Sequence, residues 1–163
     1  MERETENLIR NISFFKGIPD NLFLKIKDNL KLESFSSGER LIDTSMVPNK
    51  VSFIISGTIR SIYEDNNGIF TLEKGGYGFP IGIVSLLRNQ GCENILTSSK
   101  VNLFSITDKF FFELIDQDDE FKKLIFKNVF YSEIIDLIEK SEYFNKNELN
   151  AYDWFCKLKN NFK

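Results

Sequence analysis

One stretch of the chain has a form that can do chemistry. Gly82-Ile83-Val84-Ser85-Leu86-Leu87 reads as a glycine leading into a single helical turn. Such a turn exposes backbone N–H groups that can hold a phosphate. The residues that usually carry covalent chemistry are missing. There is no histidine in the chain, which removes Ser-His-Asp and Cys-His nucleophile systems and histidine metal sites together. Cys92 and Cys156 are too few and too far apart for a zinc knuckle or a disulfide framework, and they read as reduced thiols. Cys92 has no histidine or run of lysines beside it to lower its pKa and reads as a small filler; Cys156 sits on an apolar helical face. Asp116, Asp118, Asp119, Glu120, Glu139, Glu142 and Glu148 do not keep the spacing of a calcium loop, so they read as caps and solvated helix faces. No catalytic residue and no metal site are expected, and the chain is not read as an enzyme.

Charge and composition narrow the class. Lys and Arg number 21 against 24 Asp and Glu, a net charge of -3. No general basic footprint for nucleic acid exists, so this chain is expected to make no direct nucleic-acid contact. Apolar residues at 42% of 163 are enough for a proper core, and 28% charged residues argue against a membrane protein. The longest mostly apolar stretch, Gly78 to Leu87, falls well short of the ~20 residues of a bilayer span. The first twenty residues are polar and acidic with no signal-peptide pattern. A cytoplasmic protein without a membrane segment is expected. The 17 phenylalanines include Phe110, Phe111, Phe121, Phe126 and Phe130 at helical spacing, which points to core or helix contacts rather than an aromatic ligand pocket.

The elements that must position the glycine turn follow from periodicity. Glu2 to Ile12 and Asp20 to Leu30 carry apolar residues at helical spacing, with Gly17-Ile18-Pro19 between them and Asp20 as the expected N-cap. From Lys31 the period changes to two. Leu32–Phe35, Arg40–Ile42, Val51–Tyr63 broken at Ser56-Gly57, Ile69–Leu72, Ile95–Thr97 and Val101–Ile106 read as strands, with Phe53, Ile55 and Ile59 sharing one face. Asn66-Asn67-Gly68 is a hairpin signal. Helices return from Asp108 and run to the end of the chain, capped at Thr107 or Asp108 and again near Asp118. Many short strands between helices predict an α+β, mainly β fold: a double-stranded β-roll (jelly roll) of about eight strands. The expected layout is N-terminal helices over 1–30, the roll over 31–107 and C-terminal helices over 108–163, one domain overall.

With these turns, the chain resembles the cyclic-nucleotide-binding domain family of catabolite activator protein, the protein kinase A regulatory subunit and gated channels. The resemblance rests on Phe14-Phe15-Lys16-Gly17-Ile18, Gly38-Glu39-Arg40-Leu41-Ile42-Asp43, Ile54-Ile55-Ser56-Gly57, Leu72-Glu73-Lys74-Gly75-Gly76 and Leu103-Phe104-Ser105-Ile106. Gly82 to Leu87 is similar to the family's phosphate-binding cassette, G-E-x-[AS]-L-L, within a cassette-like segment over 75–92. The resemblance covers roughly residues 8 to 130 and implies a regulatory module whose ligand is cAMP or cGMP. It implies ligand-binding positions at Gly82, Ile83, Val84, Ser85, Arg88, Gly91 and Cys92.

The departures matter as much. Family members add a Glu that accepts from the ribose 2′-OH and an Arg that pairs with the cyclic phosphate. Ile83 stands at the position of the Glu, and Gly91 or Cys92 at that of the Arg, with Arg88 nearby as an alternative cation. The loop Tyr77-Gly78-Phe79-Pro80-Ile81 carries about two extra residues. Altered or lost cyclic-nucleotide affinity is therefore expected, with a different small-molecule effector or none. Phe126, Phe130, Ile134 and Leu137 recur close to a heptad seam, which predicts a homodimer contact or a helix-helix contact. Asn145 to Lys163 is too short for a winged-helix DNA reader. The expected function is a non-catalytic sensor that signals through its C-terminal helices. The alternatives are the effector and dimerisation domain of a catabolite-activator-type transcription regulator without its DNA-binding part, and a ligand-free structural or oligomerisation domain.

Overall fold

A computed structural model describes residues 3–127. Helix α1 spans Arg3–Asn11; a 3-10 turn follows at Ser13–Phe15, and α2 spans Asp20–Asp28. Pro19, not Asp20, is the N-cap residue of α2. Asp20 is instead the first helical residue, and its carboxylate takes Arg10 Nη1 at 2.8 Å. Arg10 also lies over the Phe23 ring at 3.8 Å, so one cation ties α1 to α2.

Eight strands follow: β1 (Lys31–Phe35), β2 (Arg40–Ile42), β3 (Lys50–Ser56), β4 (Ile59–Asp65), β5 (Gly68–Gly75), β6 (Pro80–Ile81), β7 (Ile95–Thr97) and β8 (Val101–Thr107). Helix α3 (Ile83–Arg88) lies between β6 and β7, and α4 (Asp108–Gln117) follows β8. The strands form two antiparallel four-stranded sheets, in the orders β1-β8-β3-β6 and β2-β7-β4-β5. This is the α+β, mainly β roll with flanking helices that the alternation predicts. The two-residue strand β6 lies inside the loop expected at 77–81: Ser52 pairs with Ile81 and Phe53 with Pro80.

The sheets enclose one apolar core and cover another. Ile42, Ile54, Ile59, Ile81, Ile95, Val101 and Leu103 fill the roll, with Phe35, Leu41 and Phe79 packed against them. Phe53 points the other way. Its ring meets Phe14 at 5.3 Å, Phe15 at 4.8 Å and Phe104 at 5.2 Å between centroids. Ile59 therefore shares a face with Ile54 and not with Phe53. The pairing of β3 with β8 shifts register between Ile54 and Ser56, which breaks the simple alternation across Gly57. Helix α4 packs on β3 and β8, with Phe111 fully buried. The Thr107 hydroxyl caps it by accepting the Phe110 N–H at 3.2 Å. Asp118 then accepts the Phe121 N–H at 2.9 Å, where a further helix begins at 119 and is described to 127. Among the described residues, no helix is long and apolar enough to cross a membrane.

Candidate functional site: an anion cradle at Gly82

The cassette segment lies between β6 and β7. Gly82 has φ +88°, and a Cβ there would stand 2.9 Å from the Lys50 carbonyl oxygen. Only glycine takes that conformation cheaply and lets the turn approach β3 so closely. From it α3 runs six residues, with Ile83, Ser85 and Leu86 buried. Three donors converge at its start: the Gly82 N–H, the Ser85 N–H and the Ser85 hydroxyl. The first two are among the N–H groups that a helix start leaves without an internal partner.

These donors meet an anion supplied by the chain itself. Glu93 Oε1 accepts the Gly82 N–H at 2.8 Å. Glu93 Oε2 accepts the Ser85 N–H at 3.0 Å and the Ser85 hydroxyl at 2.7 Å. The Ser85 oxygen in turn accepts the Cys92 N–H at 3.2 Å, and the Cys92 sulfur lies 3.5 Å from it. The carboxylate thus satisfies two backbone donors and one hydroxyl at the positive end of a helical turn.

Neighbouring contacts hold Glu93 in reach. Asn89 takes φ +50° and ends α3, and the Gln90 N–H donates to the Ser85 carbonyl at 3.0 Å. At Gly91 a Cβ would fall 2.6 Å from the Thr44 carbonyl oxygen, so the loop packs backbone against backbone there. Asn94 accepts from Arg40 Nη1 at 2.5 Å, and its carbonyl takes the Ile62 N–H at 2.8 Å. Arg40 continues to Glu64 at 3.0 Å. Residues on both sides of Glu93 are therefore anchored to β2, β4 and the segment after β2. The loop before the cassette is tied as well: the Tyr77 hydroxyl donates to the Leu8 carbonyl of α1, and burial raises its pKa above the ordinary value.

The residues singled out from the sequence fall as follows. Gly82, Ser85 and Cys92 come together around the cradle. Ile83 is buried, at 1% exposure, and Val84 is half-buried. Arg88 is the last residue of α3, at the opposite end from the cradle. Gly91 serves close packing, and Cys92 is exposed with a free thiol. Phe126 is 38% exposed, while Phe130, Ile134 and Leu137 lie outside the described residues. Glu93 is the residue that motif reading missed. The available signal was an acid beside the position where the family places its cation. Among the described residues no group of three or more His, Cys, Asp or Glu could hold a metal ion.

No family model matches the chain, and no curated protein sequence does. Solved structures do match its fold. A protein from Geobacter metallireducens described as cyclic-nucleotide-binding superposes with a TM-score of 0.67 at 15% identity, over 82% of this chain and 96% of that one. The regulatory subunit of a cAMP-independent protein kinase A from Trypanosoma cruzi, bound to guanosine, gives 0.65 at 22% identity, over 83% and 50%. The Trypanosoma brucei counterpart, as a Glu-to-Ala, Thr-to-Arg, Val-to-Ala variant with cAMP in its A site, gives 0.58 at 16%, over 93% and 48%. The chain spans about half the length of the kinase regulatory subunits it matches. The architecture is structurally similar to cyclic-nucleotide-binding domains.

Proposed function

We propose that this chain is a non-catalytic, cytoplasmic regulatory module of the cyclic-nucleotide-binding type that carries its own anion and closes its cassette without a cyclic nucleotide. The observation that carries this reading is the Glu93 carboxylate on the Gly82 and Ser85 donors. A cyclic phosphate using those donors would meet a like charge already in place. Its usual cationic partner is absent, since Cys92 or Gly91 stands at that position, and buried Ile83 offers nothing to a ribose hydroxyl. The neighbours lend support. Two are described as regulatory subunits of cAMP-independent kinases, and the variant holding cAMP lost a glutamate and gained an arginine.

The output proposed is a shift of the C-terminal helices relative to the roll, with a homodimer through the Phe126, Phe130, Ile134 and Leu137 stripe. Calorimetric titration with cAMP and cGMP tests the cassette. The natural chain is expected to give no heat of binding. The double variant Cys92→Arg/Glu93→Ala restores the cation and removes the plug, and is expected to bind. Micromolar cAMP binding by the natural chain overturns the reading. A folded double variant that still binds neither nucleotide removes Glu93 as the cause.

A further inference from the structure

Behind the cassette lies a cavity of about 380 Å³, between β2, the segment that follows it, β3 and Gly82. Its volume falls at the lower end of the range for small-molecule sites. Neither Ser85 nor Glu93 lines it, and of the cradle residues it shares Gly82. Leu41, Ile42, Val47, Pro48 and Ile81 make an apolar wall. Ser52 also lines it, on the interior face of β3 together with Ile54. Ser52 is 4% exposed, and its hydroxyl has no hydrogen-bond partner among the described residues. A buried hydroxyl left unpaired costs about 1–3 kcal/mol, so a group in the cavity that pairs with it is favoured.

The charges around the cavity define what that group belongs to. Lys50 Nζ is held by both Glu33 oxygens, at 2.9 and 2.7 Å. Arg40 is held by Glu64 and Asn94. Each lining cation thus has its counter-charge outside the cavity and asks for no anion within it. Asp43 accepts the Ser45 N–H at 2.7 Å and keeps a negative charge at the rim, which disfavours an anionic guest.

We infer that this cavity is a binding site for a small uncharged molecule with a mainly apolar body and one hydroxyl or carbonyl, which pairs with Ser52. The site also bears on the cradle. Gly82 belongs to its wall and holds Glu93 through its N–H. A module that has closed its own anion cradle can receive a signal here.

The test is a titration of the 15N-labelled full chain with benzyl alcohol, with toluene as the probe lacking a hydroxyl. Benzyl alcohol is expected to give saturable amide shifts confined to residues 40–52 and 81–82, extending to Glu93. Ser52→Val should weaken benzyl alcohol at least ~5-fold and leave toluene unchanged, since one hydrogen bond is worth about 1 kcal/mol. Val47→Phe, on the partly exposed rim, should abolish both by filling the space. If Ser52→Val does not fold, Ser52→Ala carries the same comparison. Absence of saturable shifts overturns the inference, as does equal affinity of the Ser52 variant for benzyl alcohol. The cAMP titration reads the cassette separately, so failure of one site leaves the other standing.

Discussion

Removing the carboxylate is the most direct perturbation of the cradle. Glu93→Ala deletes the acceptor of three hydrogen bonds, of 2.8, 3.0 and 2.7 Å. A hydrogen bond to a charged group is worth about 1.5–3 kcal/mol, so three of them set a ceiling of roughly 4.5–9 kcal/mol. Glu93 is half-buried, so water reaches part of the freed donors and the expected loss is about 2–3 kcal/mol. For a chain of this length that lowers Tm by about 4–12 °C. Glu93→Gln keeps one amide oxygen for the Ser85 N–H and hydroxyl but turns an NH2 toward the Gly82 N–H. It should cost about half as much, because one donor rather than three is left unpaired. Urea unfolding of the three proteins measures both numbers. Sodium sulfate then separates a cradle from an ordinary loop contact. It stabilises folded proteins in general, but a dianion can also replace the missing carboxylate, so the Ala variant should gain more than the natural chain. A loss under ~0.5 kcal/mol, or equal sulfate gains in both proteins, refutes the reasoning.

Three further outcomes follow from contacts outside the cradle. Thr97 is 2% exposed, donates to the Ser36 carbonyl at 2.6 Å and accepts the Glu39 N–H at 2.8 Å. Thr97→Val keeps the shape, strands both partners and should cost about 2–3 kcal/mol, read as a lower urea midpoint at unchanged slope. Phe53→Ala opens a hole among Phe14, Phe15 and Phe104 and should cost about 3–5 kcal/mol by the same measurement. Burial works to raise the Glu33 carboxyl, but hydrogen bonds from Lys50 and Ser105 outweigh it and hold its pKa below the ordinary value of 4.5. Its contribution is therefore present above about pH 4.5 and lost as pH falls through the lowered folded value. Lys50→Met should flatten that part of the acid limb of stability against pH; an unchanged limb rules out the pair as its source.

The fold was legible because its signals are local and repeated. Asn66-Asn67-Gly68 marks the β4–β5 hairpin, in which Asp65 pairs with Gly68. In β8, Val101 and Leu103 fill the roll while Phe104, on the opposite face, packs against Phe53. What escaped was set by pairing rather than by residue type. Pro80-Ile81 has no strand pattern of its own and becomes β6 only through two partners on β3. The face of Phe53 was misjudged because the register shift at Ile54/Ser56 belongs to the β3–β8 pair and leaves no mark in the β3 sequence alone. Asp20 looks like an N-cap by type, but its nearest cation is Arg10, ten residues back.

The site divides in the same way. The donors were legible: a glycine that must take a positive φ, and a small residue three positions on. The resemblance implies an arginine where Gly91 or Cys92 stands. The acceptor was not legible, because motif reading asks which expected residue is absent and not which unexpected one takes over its electrostatic task. Glu93 lies eight residues from Ser85 in sequence and reaches it only because the chain turns back through Asn89, Gly91 and the anchored Asn94. Its charge is opposite to the one the resemblance implies in that loop, and Arg88 lies at the far end of α3. The cradle itself is positive, through the backbone dipoles at the start of α3. Donors at a helix start need a partner from a side chain, water or a ligand. Here the carboxylate of Glu93, from the loop that follows α3, meets those dipoles, so the turn at Gly82 is closed from within the chain.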